Sequence, residues 1–116
     1  MTDILDDINV IAQRDPGGAF GVIASQYEQA RLDVPVRNAE HDSRPIDSIV
    51  VTGMGGSALA ALMVRALLNK TLATPFEVVR TYDVPAYVNE NTLVIASSYS
   101  GNTEETLSAL EQARER

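Results

Sequence analysis

Apolar and polar positions divide the chain into a helical front and an alternating strand–helix remainder. Ile4, Leu5, Ile8 and Ile11 recur at helical spacing among Asp3, Asp6, Asp7 and Asn9, which predicts a first helix. Asp15-Pro16-Gly17-Gly18 ends it. A second helix is predicted from about Ala19 to Leu32, with Phe20, Ile23, Tyr27 and Ala30 on one face and Pro35 beyond its end. Both apolar faces read as core packing. A polar connection follows over residues 37–47.

Ser48-Ile49-Val50-Val51-Thr52 is short, β-branched and without polar alternation, as suits a strand covered on both faces. Gly53-Met54-Gly55-Gly56-Ser57 follows at once. Ala58 to Asn69 then forms a helix, with Leu59, Leu62, Met63, Ala66 and Leu67 on a broad apolar face. Phe76 to Arg80 and Thr92 to Ser97 read as two further strands. A loop, Ser98-Tyr99-Ser100-Gly101-Asn102-Thr103, leads into a last helix that runs to about Arg116. Asn102 is placed to cap that helix, and Glu105 to complete a capping box. Strands separated by such crossovers form a parallel sheet.

The last helix carries no Gly, Asn or Pro stop signal before Arg116. The expectation is therefore two N-terminal helices over residues 1–36. Residues 37–116 would be the first half of an α/β, three-layer αβα sandwich, doubly wound in the flavodoxin-like manner and truncated at its C-terminus.

Composition narrows the chemistry. The 116 residues hold 9 Lys+Arg against 16 Asp+Glu, a net charge of −7, with one His and no Cys. Nucleic acid and anionic membranes are disfavoured as partners by that charge. Thiolate sites, disulfides and two-His metal sites are excluded. No apolar run reaches the ~18–20 residues of a membrane span, and the early aspartates spoil a signal peptide. A soluble, cytoplasmic protein is the expectation. His41 lies in the polar connection and reads as solvated.

Two loops stand where an open α/β sheet binds ligands, beyond the carboxyl ends of its strands. Gly53, Gly55 and Gly56 leave the backbone bare where strand turns to helix, and Ser57 adds a hydroxyl. The helix that follows offers unpaired N–H groups and a positive dipole end, which suits phosphate. In the second loop, Ser97, Ser98, Ser100 and Thr103 bring hydroxyls close together, with Gly101 and Asn102 at the turn. Capping uses one or two such residues, not all of them. Neither loop holds a Lys or Arg, and Glu104 and Glu105 follow directly. Binding would thus rest on neutral donors and be of modest strength. A P-loop is excluded, because no Gly-Lys-Ser/Thr element is present.

Gly53-x-Gly55-x-x-Ala58 also fits a dinucleotide fingerprint, which needs an acid about 20 residues on. Glu77 has that spacing but sits at the start of its strand. Asp83 is better placed by topology and farther by count. This reading leaves the hydroxyl loop unexplained.

Gly53-Met54-Gly55-Gly56-Ser57 and Ser98-Tyr99-Ser100-Gly101-Asn102-Thr103-Glu104-Glu105-Thr106 resemble the two signatures of sugar isomerase (SIS) domains. With Tyr82-Asp83-Val84-Pro85 and Asn91-Thr92-Leu93-Val94-Ile95, the resemblance is to the bifunctional phosphoglucose/phosphomannose isomerase family, over roughly residues 48–110. It implies that Ser98, Ser100 and Thr103 hold a substrate phosphate, with Gly101 and Asn102 shaping their loop. Gly55, Gly56 and Ser57 would line the sugar. It further implies interconversion of glucose 6-phosphate or mannose 6-phosphate with fructose 6-phosphate through an enediol. No metal or redox cofactor is implied, and the full-length protein would be a homodimer. The family's catalytic Glu, its ring-opening His and further Arg and Lys residues come from later segments and have no counterpart here, so no catalytic residue is assigned and the fragment alone is expected to be inactive. Ala61-Leu62 depart from the Gly-Asp often found after the first motif. A non-catalytic phosphosugar-sensing module is the alternative.

Overall fold

A computed structural model describes residues 6–37 and 43–116. Ile4 and Leu5 of the expected first helix, and His41, lie outside the described residues. The chain divides into two compact units, residues 1–40 and 41–116.

In the first unit, helix α1 (Ile8–Arg14) starts at Asp7, whose carboxylate accepts the N–H groups of Asn9 at 2.9 Å and Val10 at 3.4 Å. Helix α2 (Ala19–Ser25) starts after Gly18, which takes a left-handed φ of 68°. From Gln26 to Arg31 the chain tightens into a 3₁₀ helix, so the expected second helix is α-helical over its first half only. No described residue of this unit is buried, and Phe20, Ile23 and Tyr27 point outward where core packing was expected.

Asp15 both ends α1 and opens α2. Its two carboxylate oxygens accept the N–H groups of Ala19 at 2.8 Å and Phe20 at 2.7 Å. These bonds, Phe20's first, hold its carboxyl below its ordinary value of 3.8. The depressed value means that the cap is fully formed above pH 3.8 and is lost as pH falls through the folded-state value. Acidification should therefore shift the Ala19 and Phe20 amide resonances in step, below pH 3.8. Asp15→Asn should abolish that titration, and an unchanged titration in the variant would remove Asp15 as its source.

The second unit is built on three parallel strands, β1 (Ser48–Gly53), β2 (Phe76–Val79) and β3 (Thr92–Ser97), in the order β2-β1-β3. Central β1 is buried along nearly its whole length, as its unbroken β-branched run requires. Val50 and Thr52 are almost wholly enclosed. Val50 packs with Val79, Val84, Val88 and Ala109, and with Val94 and Ala113 at the margin. Each such valine contributes roughly 1.5–3 kcal/mol by leaving water.

Helix α3 (Gly55–Leu68) packs on β1 and β2, and helix α4 (Glu104–Arg114) packs on β3 and β1. Ala109 of α4 shares the Val50 face. A Cβ on Gly53, two residues along from Val51, would meet the Ala58 nitrogen of α3 at 3.6 Å. The two helices therefore cover opposite faces, giving the three layers expected. Ala58 and Ala61 are the buried residues of α3, while Leu59, Met63 and Leu67 are exposed. The small alanines let α3 lie close to the sheet. On the same face, Leu93 and Ile95 of β3 are also partly open to solvent.

Candidate functional site

The order β2-β1-β3 places the carboxyl ends of β1 and β3 side by side, with Gly53 paired to Ser97. Helices leave these two ends toward opposite faces, which opens a crevice between them. The glycine loop and the hydroxyl loop both lie there.

Gly53 is the point of closest approach. A Cβ on it would stand 2.8 Å from the Ser97 carbonyl oxygen, a contact that real Cβ atoms do not make. Gly55 opens α3 with a positive φ of 51°. A Cβ on Gly56 would meet nothing within 4 Å among the described residues. Gly56 has no packing reason to be glycine, so its bareness leaves room above the first turn of α3. That helix begins at Gly55, earlier than the expected Ala58, and makes Gly55, Gly56 and Ser57 its first turn. No side chain caps it. Its leading N–H groups thus face the crevice without a side-chain acceptor.

Ser57 ties the two loops together. Its Oγ accepts the Tyr99 N–H at 3.3 Å, and its carbonyl accepts the Ser97 hydroxyl at 3.5 Å. In the second loop, Ser98 Oγ lies 2.9 Å from Thr103 Oγ1 and 3.4 Å from Ser100 Oγ, which is 3.5 Å from Thr103 Oγ1. Of the four hydroxyls that the sequence brings close together, Ser98, Ser100 and Thr103 meet here, while Ser97 turns to the Ser57 carbonyl. Ser98 Oγ also accepts the Gly101 N–H at 3.1 Å, and Ser100 Oγ the Asn102 N–H at 3.3 Å. A hydroxyl has two acceptor sites and one proton. Backbone N–H groups fill acceptor sites on Ser57, Ser98 and Ser100, while the hydroxyl protons of Ser98, Ser100 and Thr103 are shared among themselves and would turn to an incoming acceptor. Gly101 takes a φ of 73°, which turns the loop back on itself.

Helix α4 starts one residue later than the capping reading places it. Thr103, not Asn102, is the boundary residue, and no side chain caps the helix. The Thr103 hydroxyl faces Ser98 and Ser100 instead of the helix N–H groups. Asn102 enters the cluster through its backbone alone among the described contacts. The first turn of α4 thus keeps its N–H groups beside the hydroxyls, an arrangement suited to an anion. Glu104 and Glu105 occupy that turn.

Tyr82, on the loop after β2, was not singled out by its spacing. Its Oη donates to Glu104 Oε2 at 3.4 Å. The Glu105 charge first, then desolvation and Glu104, push the Tyr82 phenol above its ordinary 10.0. Gln112 of α4 holds this loop, donating to the Tyr82 carbonyl at 2.9 Å and to Asp83 Oδ1 at 3.2 Å.

The two acids of the dinucleotide reading are engaged elsewhere. Asp83 accepts from Gln112. Glu77 sits near the amino end of β2, where it accepts a short hydrogen bond from Tyr87 Oη. Burial and this carboxylate push the Tyr87 phenol up to about 12. A cavity of about 640 Å³, lined in part by Leu62, Arg65, Leu72 and Phe76, lies at the far end of α3 and contains none of the site residues. Among the described residues, no three His, Asp or Glu side chains gather as metal ligands, and no helix is long and apolar enough to cross a membrane.

The family model for the SIS domain matches residues 44–116. Over 69 residues, 60% of this chain and 20% of the relative, the chain is 54% identical to the bifunctional phosphoglucose/phosphomannose isomerase of Caldicellulosiruptor bescii. Identity to the enzyme of that name from Thermoplasma volcanium is 40% over 86 residues, 74% of this chain and 26% of the relative. A glutamine–fructose-6-phosphate aminotransferase (isomerizing) of Corynebacterium efficiens is 37% identical over 75 residues, 62% of this chain and 12% of the relative. The chain thus spans about a quarter or less of the length of these relatives. No solved structure matches it. With both signature loops at adjoining strand ends and the match running from Arg44 to Arg116, the chain belongs to the SIS domain family.

Proposed function

We propose that residues 37–116 form the phosphate-binding front portion of a sugar-phosphate isomerase that interconverts glucose 6-phosphate or mannose 6-phosphate with fructose 6-phosphate. The observation that carries this reading is the convergence of the Ser98, Ser100 and Thr103 hydroxyls beside the uncapped start of α4. Three donors and a helix N-terminus supply a phosphate with what a lysine or arginine would otherwise give. Gly55, Gly56 and Ser57 line the adjoining crevice, where the sugar lies. The isomerase relatives are named for phosphoglucose and phosphomannose, and the aminotransferase names fructose 6-phosphate, which supports this reading. No residue of this chain is assigned as the base that moves the proton between C1 and C2; Glu104 and Glu105 take helix-start positions. The full-length protein acts as a cytoplasmic homodimer.

Titration with fructose 6-phosphate, followed by the amide resonances of Gly56 and Gly101, tests the reading. Saturable binding that Ser100→Ala weakens by about 1.5–3 kcal/mol is expected, the range for a hydrogen bond to a charged group. Protection by NAD and none by fructose 6-phosphate would overturn it. A coupled isomerase assay on the 116 residues should show no turnover near ordinary enzyme rates of ~1–1000 s⁻¹.

A further inference from the structure

The phosphate site has an electrostatic difficulty of its own making. Its loops hold no cation, yet Glu104 follows Thr103 directly and sits in the first turn of the helix that receives the anion. A carboxylate there favours the helix dipole and repels a phosphate dianion. Its position along the side-chain arc decides how strong that repulsion is.

Tyr82 fixes that position. It lies on the loop after β2, at the same edge of the sheet as the site, and its hydroxyl donates to Glu104 Oε2 at 3.4 Å. The tyrosine is itself held in place. Gln112 donates to the Tyr82 carbonyl at 2.9 Å and to Asp83 Oδ1 at 3.2 Å, while its own oxygen accepts the Val84 N–H at 3.4 Å. Thr81 Oγ1 closes the turn on the Asp83 carbonyl at 3.1 Å. A loop pinned at four points to α4 and to itself presents the phenol to the Glu104 carboxylate, with the Glu105 charge also close by. Nearby carboxylates also keep that phenol in its protonated, donating form.

We propose that Tyr82 is a positioning residue for phosphate binding: its hydroxyl draws the Glu104 carboxylate away from the Ser98–Ser100–Thr103 hydroxyls, so that these loops, which hold no cation of their own, accept a dianion. This rests on the phosphate-binding reading of those hydroxyls. The effect is one of charge, so it is specific to anionic ligands, shrinks with salt, and disappears when Glu104 carries no charge.

The test is a double-mutant cycle read by fructose 6-phosphate and, separately, by inorganic phosphate. At low salt, Tyr82→Phe should raise both dissociation constants about three- to tenfold. Glu104→Gln should bind at least as tightly as the parent chain. In the Glu104→Gln background, Tyr82→Phe should change affinity less than twofold. An undiminished loss in that background would assign Tyr82 a structural role and overturn the proposal, as would parental affinity in Tyr82→Phe alone. Parent chain that binds neither fructose 6-phosphate nor phosphate would instead overturn the reading of the site itself. Thermal unfolding of each variant separates a lost fold from a lost charge effect.

Discussion

Gly53→Ala should lower the stability of the second unit by about 2–3 kcal/mol, the upper range for overpacking a close contact. For a unit of this size that is a fall in Tm of order 10 °C, readable by circular dichroism. The cause is a single distance: the new Cβ would stand 2.8 Å from the Ser97 carbonyl oxygen. That oxygen belongs to backbone in the adjoining strand, so no side-chain rotation relieves the clash. Either β1 and β3 separate at their carboxyl ends or the ladder bends. Gly56→Ala is the matched control. Its Cβ meets nothing within 4 Å among the described residues, and alanine suits a helix better than glycine does. It should leave Tm unchanged or raise it while weakening sugar-phosphate binding, because it fills the crevice. Equal Tm for Gly53→Ala and the parent chain would remove the strand contact as a constraint.

The largest binding effect is expected from Ser98→Ala, Ser100→Ala and Thr103→Val together. Each hydroxyl that donates to a phosphate oxygen contributes roughly 1.5–3 kcal/mol. The three share one network, so their losses do not simply add. A reduction of at least about 100-fold in fructose 6-phosphate affinity, roughly 2.7 kcal/mol, is the conservative expectation. Valine keeps the shape of threonine, so α4 should start as before. Ser98→Ala also removes the acceptor of the Gly101 N–H, and the loop should loosen around its φ of 73°. Calorimetric titration of the triple variant provides the check. Affinity within threefold of the parent, with the fold intact, would place the phosphate elsewhere.

The sheet was legible because β1 has no polar alternation, and only a strand enclosed on both faces needs none. The hydroxyl loop was legible because Ser98, Ser100 and Thr103 exceed what capping uses. Element starts were harder. Three glycines read as loop, yet Gly55 and Gly56 are helical, since the first turn of a helix leaves its N–H groups unpaired in any case. For α3, large apolar residues drew the expected core face to Leu59, Met63 and Leu67, whereas Ala58 and Ala61 face the sheet. Periodicity cannot rank two apolar stripes of one helix by how closely each approaches a neighbour. In the first unit, the spacing of Phe20, Ile23 and Tyr27 predicts one continuous helical face, but the chain tightens to a 3₁₀ helix at Gln26 and these residues are exposed; spacing does not say whether a face is covered.

What spacing could not reveal is long-range. Ser57 meets Tyr99 across 42 positions, and Tyr82 meets Glu104 across 22. Those contacts exist because β1, β2 and β3 end at one edge, a property of strand order. The exposed Tyr82 carried no local signal beyond its place in the Tyr82-Asp83-Val84-Pro85 run.

The Gly53–Ser97 contact also sets a gauge. The two loops are held at one separation where Gly53 meets Ser97 and are linked again by Ser57. On the proposed function, a sugar phosphate bridging them would have to match that span from its phosphate to its far end. Little of its binding energy is then spent on assembling the crevice, because the crevice is already assembled. Selection by length, more than by strength of attraction, is what a neutral cradle on a rigid frame does well.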